Sequence, residues 1–146
     1  MRNFLFAASV FGLFSCAAVP QKSYLLNSCY KVAKEAGIYK AYDNIYVGEY
    51  LASTLLPTRL IKSSKPVGKL KAGQKVELVE ILKGSSGSFS AFFRPAFKVF
   101  NGELAGLVFD VPGCVSYHPK DKWVKGCPLN SNDIVFNEEF IEACAQ

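Results

Sequence analysis

The chain has only one histidine, His118, and one tryptophan, Trp123, among its 146 residues. Zinc sites cluster cysteine and histidine ligands, and no Cys-x-x-Cys pair is present, so the sequence disfavours a metal centre and we expect no cofactor. The apolar N-terminal run is shorter than the roughly 20 residues that a membrane-spanning helix needs. The glycine- and serine-rich residues 84–88 have neither the lysine nor the following helix of a phosphate-binding loop. These absences remove the usual signatures of zinc, nucleotide and membrane-spanning proteins.

Catalytic signatures are also missing. Ser116, His118 and Asp121 lie within one loop, and no Gly-x-Ser-x-Gly turn surrounds any serine. A cysteine nucleophile beside His118 would need a free thiol, whereas Cys114 is expected to form a disulfide. Glycoside cleavage needs two acids facing each other across a cleft. The close pairs of glutamates have the spacing of surface charges: Glu77 with Glu80, and Glu138 with Glu142. We predict that the protein is not an enzyme.

The N-terminus has the features of an export signal. Residues 2–15 form a mainly apolar run whose only charged residue is Arg2, which is typical of a signal peptide. The segment Leu13-Phe14-Ser15-Cys16 resembles the lipobox of bacterial lipoproteins, with an aliphatic residue three places before the cysteine and a small residue directly before it. This resemblance implies that Cys16 becomes the lipidated first residue of the mature chain.

The predicted organisation follows from this signal. Residues 1–15 are expected to be removed, residues 16–28 to form a tether, and residues 29–146 to form one domain. The lipid-anchored domain would face the periplasm in the cell envelope. Cleavage after Ala17 or Ala18 is the alternative, and it would give a soluble periplasmic or secreted protein.

Four cysteines remain beyond the signal, an even number that suits an exported protein whose thiols pair. Four cysteines allow three connectivities. We favour Cys114 with Cys127, which closes a short loop, and Cys29 with Cys144, which joins the two ends of the domain. In the chain-entropy picture each bond would add about 3 to 5 kcal/mol of stability.

The formal net charge is +5 and falls to about +4 when Arg2 is removed with the signal. This mild excess behind an export signal disfavours nucleic acid as a partner. Acidic residues gather near the C-terminus, and lysines cluster in the middle of the chain: Lys62, Lys65, Lys69, Lys71 and Lys75. The two groups are either solvated faces of one fold or, for the lysines, a basic patch for an acidic partner or an anionic envelope polymer.

Turn signals are frequent, which predicts short strands. Residues 30–42 are expected to form two strands around a turn at Gly37, residues 63–66 a loop, and residues 75–82 a strand after a turn at 71–74. Asn101-Gly102 predicts a two-residue hairpin turn. Because Pro95 lacks an N–H donor, the strand that enters this turn is expected either to start near Phe97 or to lie at a sheet edge at Pro95. For residues 45–60 the sequence is compatible with either a short helix or an irregular strand. Asn137 is expected to cap a short C-terminal helix over residues 138–145.

This pattern predicts a mainly β fold, either a small antiparallel barrel or a strongly bent sheet, with a short C-terminal helix. Residues 67–78, with Gly68, Leu70 and Gly73 before alternating apolar residues, look like the turn-and-strand segment of bacterial SH3-like domains. Residues 102–108 resemble the later Gly-x-x-Gly-Trp-Val element of the same family, with Leu107 at the tryptophan position. The resemblance implies a noncatalytic SH3-like barrel that binds cell-wall or protein partners.

Residues 114–127 form the predicted partner-binding loop, which is rich in aromatic and charged side chains: Tyr117, His118, Lys120, Lys122 and Trp123. A disulfide across the loop would lower the entropy lost on docking, and Trp and Tyr are common interface anchors. The alternative is that Trp123 folds back to cover the sheet. The phenylalanines at 89, 92, 93 and 97 could likewise form a platform for a sugar, but their spacing favours the core.

Two functions fit these features. The first is a binding module of the cell envelope that holds peptidoglycan or an envelope protein. The second is a periplasmic inhibitor or immunity protein that blocks a toxin or hydrolase.

Overall fold

The computed structural model describes residues 18–41, 44–48, 64–84, 92–111, 123–126 and 128–145. The predicted signal with Cys16 and the predicted bond between Cys114 and Cys127 lie outside these residues. The described chain is mainly β, with almost no helix. Its strands are β1 (Val19–Pro20), β2 (Cys29–Val32), β3 (Ala36–Ala41), β4 (Asn44–Val47), β5 (Lys65–Leu70), β6 (Lys75–Gly84), β7 (Phe92–Val99), β8 (Val108–Asp110), β9 (Val124–Lys125), β10 (Val135–Phe136) and β11 (Ile141–Ala143).

Most of these strands form a curled half-barrel sheet. The order across it is β11-β2-β6-β7-β8-β4-β3-β5, with β1 added to β6, while β9 and β10 form a separate pair. The β4–β8 contact is parallel and has the single register pair Tyr46 and Asp110. This contact is the seam between the two halves of the sheet. The predicted strongly bent β sheet is confirmed at this level.

The central strand is β6, which pairs with β7 along its length, with β2 near its start and with β1 near its end. Side chains alternate between the two faces of a strand, and Val76 and Leu78 are fully buried on one face, as their spacing predicts. The register shifts between Leu78 and Glu80. An extra residue at a bulge changes the alternation, so Ile81 also becomes buried.

The β7–β8 hairpin differs from the predicted two-residue turn. Its strands pair from Lys98 with Val108 to Ala96 with Asp110, and residues 100–107 connect them in two successive turns. A type I′ turn needs positive φ at both central residues, whereas Gly102 has a φ of 83° and Asn101 has no positive φ. The strand also begins at Phe92 rather than near Phe97.

The remaining strand predictions are partly correct. Residues 30–42 do contain two strands, but the turn between them covers residues 33–35 and Gly37 lies inside β3. The Tyr39 ring packs over Gly37, where an added Cβ would lie 2.9 Å from Tyr39 Cε2. Lys65 and Pro66, expected in a loop, belong to β5. Proline is tolerated there because β5 is the last strand of the sheet.

The predicted C-terminal helix is wrong. Residues 138–140 form a turn, β11 follows, and a 3-10 turn at Ser131–Asp133 is the helical element at this end of the described chain. Asn137 does use its side chain as a cap, because its Oδ1 accepts a hydrogen bond from the Glu139 N–H at 3.2 Å. After this single turn, β11 pairs with β2, so sheet hydrogen bonds replace the helix.

The core of the described chain is rich in aromatic rings. The rings of Tyr30, Phe97 and Phe136 meet edge to face, with centroids 5.1 to 5.6 Å apart. Phe93 and Phe97 are buried, so these two residues are not an exposed sugar platform. Core burial is the outcome that the phenylalanine spacing favours.

Both ends of the described chain are attached to the sheet. Cys29 on β2 is bonded to Cys144, as predicted, and their Cα atoms are 5.5 Å apart. The segment expected as a tether pairs with β6, since Val19 lies opposite Lys83 and the Asn27 N–H donates to the Leu78 carbonyl at 2.8 Å. Residues 18–28 therefore belong to the folded body, because their backbone completes the edge of β6.

Candidate functional site

A groove of about 360 Å³ lies between two turns of the chain. One wall comes from the end of β5 and the turn before β6, and the other from the β7–β8 connection. We call it the basic groove and define it by its lining residues: Lys69, Lys71, Ala72, Gly73, Gln74, Asn101, Gly102, Glu103 and Leu104.

Hydrogen bonds from two amide side chains fix the walls to each other. Gln74 is 9% exposed; its Nε2 donates to the Asn101 carbonyl at 2.6 Å and its Oε1 accepts from the Lys71 N–H at 3.0 Å. Asn101 in turn accepts at Oδ1 from the Lys75 N–H at 3.1 Å. The Phe100 N–H donates to the Lys75 carbonyl at 2.9 Å. The groove is therefore held in one shape before any ligand arrives, which reduces the ordering cost of binding.

Two glycines allow the walls to approach this closely. At Gly102 an added Cβ would lie 2.9 Å from Gln74 Nε2, and the φ of 83° would strain any other residue. At Gly68 an added Cβ would lie 2.9 Å from Leu104 Cδ2. Leu104 therefore spans from the β7–β8 connection to β5 and forms an apolar part of the groove.

The charge of the groove is uneven. Lys69 and Lys71 are exposed on one wall, and Glu103 is exposed on the other. Lys69 Nζ lies 3.0 Å from Glu35 Oε1, but both side chains are more than half exposed, and such a surface pair contributes little stability. Lys75, the residue after Gln74 in the sequence, is also exposed. Four of the five clustered lysines lie in β5, the turn or the start of β6, whereas Lys62 lies outside the described residues.

The two segments that resemble SH3-like domains meet at this groove. The first, residues 67–78, supplies the turn wall, and the second, residues 102–108, supplies much of the opposite wall. Leu107, in the second segment, is partly buried against the core. Sequence reasoning identified both segments but placed the binding site in another loop.

That other loop lies largely outside the described residues, including Tyr117, His118, Lys120 and Lys122. Trp123 is described and is 0% exposed. Its ring centroid lies 5.7 Å from that of Phe140 and 6.3 Å from that of Phe109. A side chain with no exposed surface cannot anchor a partner, so Trp123 covers the sheet, which is the alternative that the sequence left open.

A buried polar cluster at the β4–β8 seam is a feature that sequence reasoning missed. Asp110 is 8% exposed, and its Oδ2 lies 3.4 Å from Arg94 Nε, which is buried and makes no hydrogen bond to the described chain. Tyr46 and Glu80 flank the pair, because cross-strand pairing connects Tyr46, Asp110, Ala96 and Glu80 in one row. The sequence does carry one signal for this cluster, because the acidic residue Asp110 directly follows two apolar strand residues, Val108 and Phe109.

Burial controls the electrostatics of this cluster. Desolvation raises the pKa of Asp110 from its usual 3.8 to about 6, against the opposing effect of the Arg94 cation and with a smaller addition from Glu80. Burial also raises the pKa of Tyr46. The described residues contain no group of three or more metal-ligating side chains. Nor do they contain a helix long and apolar enough to cross a membrane.

No family model, curated protein or solved structure matches the chain.

Proposed function

We propose that the protein is a noncatalytic lipoprotein of the cell envelope, anchored through Cys16, whose basic groove binds peptidoglycan or an envelope protein. The observation that supports this most is a groove with a fixed shape and a basic rim, built from the two segments that resemble SH3-like binding domains. A binding site benefits from such rigidity, since a preordered surface loses less entropy on docking.

The chemistry of the groove favours a ligand with negative charge and an apolar part. Lys69 and Lys71 would approach carboxylate or phosphate groups, and Leu104 would contact a carbon chain or ring. Peptidoglycan and acidic protein segments both provide these groups. Exposed charges mainly set specificity and association rate, so the binding is expected to weaken as salt concentration rises.

The test measures sedimentation of the detergent-solubilised full-length protein with purified peptidoglycan, alongside affinity capture from envelope extracts. The variant is Lys71→Glu, and Lys125→Glu, which reverses an exposed lysine on β9 away from the groove, is the matched control. Reversal of one rim charge is expected to weaken binding by about twofold to fivefold, with the control unchanged.

The outcomes separate the two functions. Co-sedimentation that depends on Lys71 supports a wall-binding module. Capture of one tightly bound toxin or hydrolase would instead support the inhibitor function, with a buried interface of about 1,600 Å². Equal binding by the Lys71→Glu and Lys125→Glu variants would show that the groove is not the binding site.

A further inference from the structure

The chain is fixed to the sheet within a few residues of Cys16. Val19 and Pro20 pair with Lys83 and Leu82 at the end of β6. The Gln21 N–H donates to the Ile81 carbonyl at 2.8 Å. Only Ala17 and Ala18 separate Cys16 from Val19, so three Cα steps of 3.8 Å allow at most about 11 Å between them. An acylated Cys16 would therefore hold this end of the domain close to the bilayer surface.

Large side chains are exposed in the same part of the molecule. Val19 is 57% exposed, Tyr24 is 75% exposed and Leu129 is 87% exposed. Tyr24 is nevertheless held in place, because its hydroxyl donates to the Asn132 carbonyl at 3.0 Å and its N–H donates to Asn132 Oδ1 at 3.2 Å. Leu129 lies just before the 3-10 turn that contains Asn132. Ser131 Oγ donates to the carbonyl of the exposed Lys22 at 2.8 Å, which joins the two segments.

We propose that these four residues, Val19, Lys22, Tyr24 and Leu129, which we call the N-terminal face, lie against the lipid bilayer that holds the acyl chains of Cys16. This inference rests on the proposed lipoprotein function. Tyrosine is enriched at the membrane interface, exposed apolar side chains gain from leaving water, and a lysine is attracted to anionic headgroups. A lipid anchor together with such a second contact gives firmer attachment than the anchor alone.

The geometry of β6 connects this face to the groove. Val19 pairs with Lys83 near the end of β6, whereas Lys75 at its start adjoins the basic groove. Eight Cα steps of strand separate Lys75 from Lys83, which corresponds to about 26 Å. The Val19 end of the N-terminal face therefore lies at the opposite end of β6 from the groove.

The experiment uses the full-length acylated protein in vesicles of phosphatidylethanolamine and phosphatidylglycerol that carry brominated acyl chains, which quench nearby tryptophan fluorescence. Tyr24→Trp reports on the N-terminal face. Phe100→Trp is the matched control, because Phe100 is 52% exposed and adjoins Lys75. Trp123 is present in both variants and is buried, so the parent protein gives the background signal.

We expect quenching of the Tyr24→Trp signal at least twofold greater than that of Phe100→Trp after subtraction of this background. Adding Leu129→Asp should reduce the difference, since a charge opposes insertion. Equal quenching of the two reporters, in a protein whose acylation is confirmed by mass spectrometry, would refute contact between the N-terminal face and the bilayer. It would not refute the lipoprotein proposal. A full-length protein without acyl chains on Cys16 would overturn both.

Discussion

Asp110 should make the free energy of unfolding of this protein fall as pH rises. Its pKa is about 6 in the folded chain, against a usual value of 3.8. Between these values the folded chain holds a proton that the unfolded chain has released, so the free energy of unfolding falls as pH rises. A pKa difference of about 2 corresponds to about 3 kcal/mol. This stabilisation is complete below pH 3.8 and is lost as pH rises through 6.

Asp110→Asn removes this titration and nearly preserves the shape of the side chain. The assay is urea unfolding of parent and variant from pH 4 to pH 8, with the difference between their free energies of unfolding plotted against pH. The parent should lose up to about 3 kcal/mol relative to the variant as pH rises. Asp133→Asn, the same change at an exposed site, should follow the parent.

Arg94→Gln provides a second readout of the same cluster. The Arg94 cation lowers the pKa of Asp110. Removing this cation should therefore shift the loss of stability to higher pH. Parallel pH profiles for the parent and Asp110→Asn would refute the reasoning. Such a result would mean that the carboxyl of Asp110 is better solvated than its burial indicates.

Two further predictions concern the core and the disulfide. Replacing both Cys29 and Cys144 by alanine should lower stability by about 4 to 5 kcal/mol, because the bond spans 115 residues. An unchanged unfolding midpoint of this variant in chemical denaturation would contradict the entropic estimate. Trp123→Ala should lower stability by about 3 to 5 kcal/mol, because the side chain is fully buried. A folded Trp123→Ala variant that has parental stability but fails to bind a partner would instead show that Trp123 is a surface residue that contacts the partner.

The parts of the fold that the sequence predicted are those set by local patterns. Alternation in residues 75–82 placed Val76 and Leu78 on one buried face, and Gly73 marked the turn before them, where its φ is 81°. The pairing of Cys29 with Cys144 followed from the need to join the two ends of an oxidised domain.

The errors arose where distant segments decide the local structure. Residues 138–145 carry a helix-capping pattern, yet β2 offers a free edge and captures Ile141–Ala143 as a strand. The groove could not be located from single segments because it forms only when Gln74 reaches Asn101, 27 residues away. The seam cluster depends on the meeting of β4, β6, β7 and β8, and no spacing within one strand predicts that meeting.

The position of β11 has a consequence for the order of assembly. β11 is the last of the described strands in sequence order, but its partner β2 is the second of them. A chain in which β11 has not yet paired leaves the outer edge of β2 exposed. Closing contacts between distant strands is intrinsically slow, and an open edge invites pairing with other chains. Pairing of β11 with β2 and the bond between Cys144 and Cys29 together cover this edge.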